Sequence, residues 1–213
     1  MKAVLIGATG AVGKDLLLAL LEDERYTEVT AFARRALGVE HPKLREHTID
    51  FDAPATWQEL VKGDILFSTL GTSLKQAGSK EAQRHIDYDY QLSFAKAARA
   101  NDVKRLVLLS SVGADSKSSI FYLRLKGELD DAVQGLGFDS LTIVRPASLI
   151  RAKSKRFGET ASVKFLQAAN AIGLAKQLAP METVVVARSM AALGADSASG
   201  TRFIEGQDIR KFA

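Results

Sequence analysis

Short apolar runs alternate along the chain with longer segments of helical pattern. The runs are typical of buried parallel strands and occupy 3–6, 28–33, 47–50, 64–69, 104–110 and 140–144. The helical segments occupy 12–21, 56–61, 79–101 and 119–134. This alternation predicts right-handed crossovers and a parallel sheet covered by helices on both faces. We therefore expect an α/β fold with a doubly wound parallel sheet of six to seven strands.

The pattern becomes less regular after Val144. A basic loop at 151–156 follows the sixth strand, and the elements predicted beyond it are a helix at 161–178, a strand at 183–186, a helix at 187–196 and a strand at 201–204. We interpret residues 147–213 as a small α/β lid within a single domain, 1–213. Such a lid would cover the carboxyl ends of the strands, where ligands bind in open α/β sheets.

Composition excludes several classes of protein. The chain has 213 residues, of which 46% are hydrophobic and 25% charged, as in ordinary globular proteins. The absence of cysteine excludes disulfides, cysteine-ligated zinc, iron–sulfur clusters and thiol nucleophiles, and the three scattered histidines indicate no metal site. Neither a secretory signal nor a membrane-spanning stretch is recognisable, so we expect a cytoplasmic protein without a membrane partner. A net charge of +4 is too weak to indicate nucleic acid.

A glycine-rich turn joins the first strand to the first helix. Gly7, Gly10 and Gly13 form the pattern G-x-x-G-x-x-G. These glycines would allow a tight turn, let the backbone approach a pyrophosphate and let the helix pack closely, while the helix N-terminus attracts the phosphates. The turn predicts a Rossmann-like dinucleotide site that also includes Thr9, Ala11 and Val12. A turn without a ligand is the alternative.

The end of the second strand indicates which dinucleotide binds. An NAD site usually has an acidic residue about 20 positions beyond the glycine turn, which binds the ribose 2′-hydroxyl. This strand ends instead in Arg34 and Arg35. Because guanidinium groups bind phosphate through several donors, the pair favours the 2′-phosphate of NADP(H). A solvated basic strand end is the alternative.

Other strand ends supply further expected cofactor contacts. A carboxylate at Asp50, beside Phe51, could accept a hydrogen bond from the adenine amino group, although a plain turn would have the same sequence. Gly71 would let the backbone pass close to the cofactor. We expect contacts at Leu70, Gly71, Thr72, Ser110, Arg145 and Pro146.

Tyr122 and Lys126 form a Y-x-x-x-K pair on the helix that follows the fifth strand. Residues four apart share one helix face, so the ammonium group can stabilise a phenolate, and a free phenol with a pKa of about 10 needs such help at neutral pH. Ser110 and Ser111 end the preceding strand, where a hydroxyl could hold a substrate carbonyl oxygen. An amphipathic helix with a surface lysine is the alternative.

Together these residues resemble the short-chain dehydrogenase/reductase superfamily, in particular the atypical branch of the Tat-interacting-protein-like oxidoreductases and their bacterial relatives. The resemblance covers nearly the whole chain and includes GATGAVG at 7–13, FARR at 32–35, STLGTSLKQAG at 68–78, FYLRLKGELD at 121–130 and VRPASLI at 144–150. It implies a Rossmann-like domain with bound NADPH. It also implies that Ser111, or else Ser110, acts with Tyr122 and Lys126 in catalysis, and that the latter two contact the cofactor.

Two functions follow as hypotheses. The first is NADP(H)-dependent reduction of a carbonyl or related small molecule, and the alternative is a catalytically weak NADPH-sensing or partner-binding regulatory protein. The basic loop around Arg151 and Arg156 favours an anionic substrate, unless it is simply solvated. A homo-oligomer is compatible with the sequence. Asp87 and Tyr90 could line the cleft, but packing or surface roles are favoured.

Overall fold

The computed structural model describes residues 1–150 and 179–213. Its main sheet consists of the strands β1 (Lys2–Ile6), β2 (Glu28–Ala33), β3 (Leu44–Thr48), β4 (Ile65–Ser68), β5 (Arg105–Leu109), β6 (Ser140–Arg145) and β9 (Gly200–Glu205). They lie in the order β3-β2-β1-β4-β5-β6-β9, and every neighbouring pair is parallel. A small second sheet pairs β7 (Leu149–Ile150) with β8 (Met181–Glu182). The prediction of a Rossmann-like α/β fold is confirmed.

Helices cover both faces of the sheet. The α-helices are α1 (Ala11–Glu22), α2 (Leu74–Ala77), α3 (Lys80–Arg84), α4 (Tyr90–Ala100), α5 (Phe121–Gln134) and α6 (Thr183–Ala195). A π-helical turn, His85–Asp89, joins α3 to α4, and short 3₁₀ helices occupy Pro54–Thr56, Gln58–Leu60 and Gly206–Phe212. Within the described part of the chain, no helix is long and apolar enough to cross a membrane.

Two apolar cores lie on opposite faces of the sheet. Side chains alternate between the two faces of a strand, so Leu5 of β1 joins α1 and α6 in one core while Val4 and Ile6 join α4 and α5 in the other. Met190 and Phe94 are fully buried representatives of the two cores. Each such large apolar side chain stabilises the fold by roughly 1.5–3 kcal/mol.

The order of the strands reverses between β1 and β4. In open α/β sheets this reversal opens a crevice at the carboxyl ends of the strands, which is the usual ligand site. Thr69, just after β4, donates from its backbone N and from Oγ1 to the Ile6 carbonyl oxygen at 3.0 and 2.8 Å. These bonds bring the glycine turn after β1 next to the loop after β4.

The structure revises the extent of the predicted lid. Residues 183–186 form the first turn of α6 rather than a strand, and α6 packs against α1 beneath the main sheet. β9 pairs with β6 as the seventh strand of that sheet. Residues 183–213 therefore belong to the central fold. The predicted helix at 161–178 and the basic loop at 151–156 lie outside the described residues.

Candidate active site

The glycine turn forms a tight cradle at the start of α1. Gly7 has a φ of +88°, and the backbone N of Gly10 donates to its carbonyl oxygen at 2.8 Å. A Cβ at Gly13 would overlap the same carbonyl oxygen, and a Cβ at Gly7 would collide with the backbone of Thr69. The turn therefore requires glycine at both positions. It places the N-terminus of α1 directly after the end of β1, and the free N–H groups of a helix N-terminus can bind a pyrophosphate.

Residues at the rim of this cradle differ in exposure. Thr9 is exposed and Ala11 is partly buried, whereas the Val12 side chain is 3% exposed and packs into the core beneath α1. Val12 can therefore meet a ligand only through its backbone.

Two exposed arginines follow the end of β2. Arg34 and Arg35 are exposed, and within residues 1–150 and 179–213 neither forms an ion pair. Their positions directly follow Ala33, at the edge of the crevice. Both guanidinium groups are thus available to an anionic ligand.

The expected adenine side is built on a packed aromatic cluster. Phe51 is 5% exposed, and its ring centroid lies 5.1 Å from Tyr90 and 5.4 Å from Phe94. Its side chain therefore belongs to the core, and only its backbone is left for the predicted cofactor contact. Asp50 stays exposed, and its carbonyl oxygen accepts a hydrogen bond from Trp57 Nε1 at 2.9 Å.

Charged and polar side chains border this cluster. His85 hydrogen-bonds Asp52 Oδ1 through Nε2 at 2.6 Å and Asp89 Oδ2 through Nδ1 at 3.0 Å. The bonds to Asp89 and Asp52 raise the pKa of His85. Burial, followed by hydrogen bonding with Asp52, raises the pKa of Tyr90 to about 12.

Tyr122 and Lys126 lie one turn apart on α5, and Tyr122 lines a cleft. Tyr122 is 39% exposed in the first turn, whereas Lys126 is 4% exposed one turn further. The Lys126 Nζ lies 3.5 Å from the Leu109 carbonyl oxygen at the end of β5. The cleft has a volume of about 470 Å³ and is lined by Thr72, Ser73, Leu74, Lys80, Gln83, Ile120, Phe121 and Tyr122.

The two serines after β5 have different surroundings. Ser110 is 5% exposed, and its Oγ donates to Asp130 Oδ2 at 2.9 Å. Ser111 is only partly buried, and among the residues that the structure describes its Oγ has one partner, the Val112 carbonyl oxygen at 3.4 Å. Ser110 is therefore occupied within the protein, while the Ser111 hydroxyl is available.

Asp130 is a buried carboxylate that the sequence reasoning missed. Its Oδ2 accepts hydrogen bonds from Ser110 and from Arg145, whose Nε and Nη2 lie at 3.0 and 2.8 Å, while its buried Oδ1 has no partner in the described part of the chain. Burial raises the pKa of Asp130, whereas Ser110, Arg145 and Lys126 act to lower it. The spacing Y-x-x-x-K-x-x-x-D is the signal that could have revealed it, because all three residues share one helix face.

Arg145, a predicted cofactor contact, lies between two carboxylates. Its guanidinium group bridges Asp130 and, through Nη1 at 2.7 Å, Glu205 Oε1 on β9. Two carboxylates thus already hold the side chain. Pro146 is buried, and its carbonyl oxygen accepts from Val112 N at 3.0 Å. Arg145 therefore connects the end of β6 to α5 and β9, and Pro146 connects it to the loop after β5.

A second buried carboxylate, Asp87, anchors the loop after β4. The predicted helix at 79–101 is interrupted by the π-helical turn, whose wider winding turns Asp87 inwards. Asp87 Oδ1 accepts from Thr72 N at 2.7 Å, and its other oxygen contacts Gln83 Nε2 at 3.4 Å. Burial raises the pKa of Asp87, opposed chiefly by the charge of Lys126. The carboxylate thereby links the Leu70–Thr72 loop to Lys126 on α5.

Comparison with known proteins places this chain in a family. Residues 7–168 match the model of a family described as NAD(P)H-binding. The chain is 36% identical to Protein HTATIP2 of Rattus norvegicus over 166 residues, 76% of this chain and 68% of that protein. It is 33% identical to Protein FMP52, mitochondrial, of Candida albicans over 163 residues, 74% and 71% of the two chains.

Solved structures share the fold. The oxidoreductase ylbE from Lactococcus lactis superposes with a TM-score of 0.66 at 22% identity, covering 89% of this chain and 83% of that one. The Bordetella bronchiseptica enzyme WbmH in complex with NAD⁺ superposes with a TM-score of 0.71 at 16% identity, covering 96% and 75%. At such identities the likeness concerns the fold alone.

Proposed function

Since the chain belongs to the NAD(P)H-binding family and is an atypical short-chain dehydrogenase/reductase-like protein, we propose that it is an NADP(H)-dependent oxidoreductase that reduces a carbonyl or related small molecule. The observation that carries the proposal is the pair on α5. Tyr122 is half-exposed at a cleft of about 470 Å³, and Lys126 is buried one helical turn away. A surface lysine on an amphipathic helix would not be 4% exposed.

The residues around the crevice suit the cofactor. The cradle of Gly7 and Gly13, which any Cβ would fill, matches the close backbone approach that a pyrophosphate needs. Arg34 and Arg35 would hold the 2′-phosphate, and the loop anchored through Thr72 would border the cofactor near α5. When bound, the nicotinamide supplies the hydride.

The chain's own residues supply the proton chemistry. Tyr122 gives its phenolic proton to the substrate oxygen, and the positive charge of Lys126 stabilises the phenolate that forms. Ser111 donates a hydrogen bond to the same oxygen, because its hydroxyl is available whereas Ser110 is held by Asp130. Asp87 and Asp130 balance the charge of buried Lys126.

Cofactor preference is tested by titrating the protein with NADPH and NADH in parallel. NADPH should bind more tightly, and Arg34→Ala with Arg35→Ala should remove most of the difference. The matched control is Arg45→Ala, an exposed arginine on β3. Equal or tighter binding of NADH by the unmodified protein would refute the preference.

The chemistry is tested by Tyr122→Phe in a screen of carbonyl compounds with NADPH. We expect kcat to fall by about 10²–10⁴, the usual contribution of a general acid, with NADPH affinity retained. Tyr88→Phe, on the π-helical turn, is the matched control and should leave kcat unchanged. Full activity of Tyr122→Phe would remove the tyrosine from the mechanism, and cofactor binding without any turnover would favour a regulatory protein.

The same proposal covers the binding partners of the enzyme and its location in the cell. It takes a small-molecule substrate, binds no nucleic acid or membrane, and acts in the cytoplasm, alone or as a homo-oligomer. The name of the fungal relative includes "mitochondrial", so cell fractionation is the decisive test of location. Recovery of the protein in an organelle fraction would overturn the cytoplasmic assignment.

A further inference from the structure

The cleft beside Tyr122 has mainly apolar walls. Three of the seven exposed large hydrophobic side chains in the described ranges line it: Leu74, Ile120 and Tyr122, at 46%, 59% and 39% exposure. Phe121 adds a ring to the same wall. Clustered exposed apolar side chains in a concave site are typical of a surface that buries a ligand.

Lys80 is the one charged side chain among the described residues that line this cleft. Lys80 begins α3, and its Nζ lies 5.5 Å from the centroid of the Phe121 ring. Within residues 1–150 and 179–213, Lys80 forms no ion pair, whereas the nearby Arg84 is paired with Glu128. The remaining polar lining is largely occupied, because Gln83 donates to the Thr72 carbonyl oxygen and Ser73 caps α2. Lys80 is therefore the charged group in the cleft that is open to a ligand.

From this arrangement we propose that the substrates are amphipathic carbonyl acids, with an apolar body against Leu74, Ile120 and Phe121 and a carboxylate at Lys80. The proposal rests on the proposed function, because it places the carbonyl carbon at Tyr122 in the same cleft. The basic loop at 151–156 is the site that the sequence favours for binding of an anionic substrate. The present proposal attributes this binding instead to Lys80 on α3, beside the first turn of α5. The volume of about 470 Å³ lies in the range of small-molecule sites.

The charge is tested with 4-formylbenzoate and its neutral methyl ester as substrates of the NADPH-loaded protein. Lys80→Gln should raise KM for the acid up to about fivefold, as expected for one solvent-exposed ion pair, and leave KM for the ester and both kcat values unchanged. The effect should shrink with added salt. Lys75→Gln, on α2 and outside the cleft lining, is the matched control. Equal changes for both probes, or no change, would overturn the proposal.

The apolar wall is tested with Ile120→Ser. KM should rise about tenfold for both probes, because each loses an apolar contact. Leu60→Ser, at a comparable exposure of 44% but outside the cleft, should change neither value. Unchanged kinetics in Ile120→Ser would exclude the wall from the substrate site.

A binding measurement separates this inference from the proposed chemistry. Calorimetric titration of 4-formylbenzoate into the Tyr122→Phe protein loaded with NADP⁺ requires no turnover. Saturable binding that Lys80→Gln weakens supports the amphipathic-acid site even if no reduction is found. Absence of saturable binding overturns the site, even if other carbonyl compounds are reduced.

Discussion

Arg145→Met is expected to destabilise the protein by about 3–5 kcal/mol, because it leaves a buried carboxylate without its counter-ion. The Asp130 side chain is 1% exposed, and Arg145 contacts its Oδ2 twice, through a hydrogen bond from Nε at 3.0 Å and an ion-pair contact of Nη2 at 2.8 Å. The second partner of Arg145, Glu205, is 42% exposed, so loss of that pair adds at most about 1 kcal/mol. Methionine retains the length of the apolar stem and so limits the packing defect.

The assay is urea denaturation followed by circular dichroism across a range of pH. Burial raises the folded-state pKa of Asp130 above its ordinary value, and removal of Arg145 takes away a charge that lowers it. For an acid with a raised folded pKa, ionisation opposes folding. The free energy of unfolding of the variant should therefore rise as the pH falls from neutral through that raised pKa, with a slope of at most about 1.4 kcal/mol per pH unit.

Two control variants separate the loss of the counter-ion from other effects of the Arg145→Met substitution. The double variant Asp130→Asn with Arg145→Met should recover much of the lost stability, because a neutral amide then replaces the carboxylate that Arg145 neutralises. Lys211→Met, which removes an ion pair with side chains 72% and 53% exposed, should change the free energy of unfolding by less than about 1 kcal/mol. A loss below about 1 kcal/mol in Arg145→Met, or no gain in stability on acidification, would refute the role of Arg145 as the counter-ion of Asp130.

Two further predictions concern the cradle and the histidine cluster. Gly13→Ala should weaken NADPH binding at least tenfold and cost about 1–3 kcal/mol of stability, because its Cβ would overlap the Gly7 carbonyl oxygen. Gly135→Ala, at the C-terminal end of α5 and outside the expected cofactor contacts, is the control, because its Cβ would meet its nearest neighbour at an ordinary 3.5 Å. Equal effects of the two substitutions in calorimetry would refute the steric explanation. NMR titration should place the His85 pKa above its ordinary 6.5, and Asp89→Asn should lower it. The stabilisation from protonated His85 is then complete below pH 6.5 and lost as the pH rises through the folded-state pKa. An unshifted His85 would refute this prediction.

Local sequence patterns were enough to predict the central fold, because each pattern that indicates it lies within a few neighbouring residues. The apolar run of β1, the glycines at 7, 10 and 13 and the periodicity of α1 are contiguous, and alternation of strands and helices leaves few topologies for a parallel sheet. The pair of Tyr122 and Lys126 was visible for the same reason, since helical geometry alone places residues four apart on one face.

Tertiary packing decided the features that depend on distant partners. Residues 183–186, T-V-V-V, have strand propensity, yet they are helical because Val186 and Met190 on one face of α6 bury against α1. The different surroundings of Ser110 and Ser111 depend on Asp130, which is 20 positions away from Ser110 in the chain. A buried polar group needs a partner, and that partner can come from any strand or helix that the fold brings near.

Sequence by itself thus determined a Rossmann-like dinucleotide fold and the tyrosine–lysine pair, whose signals are local. Tertiary structure alone decided that Arg145 holds Asp130, that Asp87 anchors the loop at Thr72, and that Lys80 stands in an apolar cleft beside Tyr122. These arrangements join residues from separate elements, and the free energy of burying charge and apolar surface selects them only once the chain has folded.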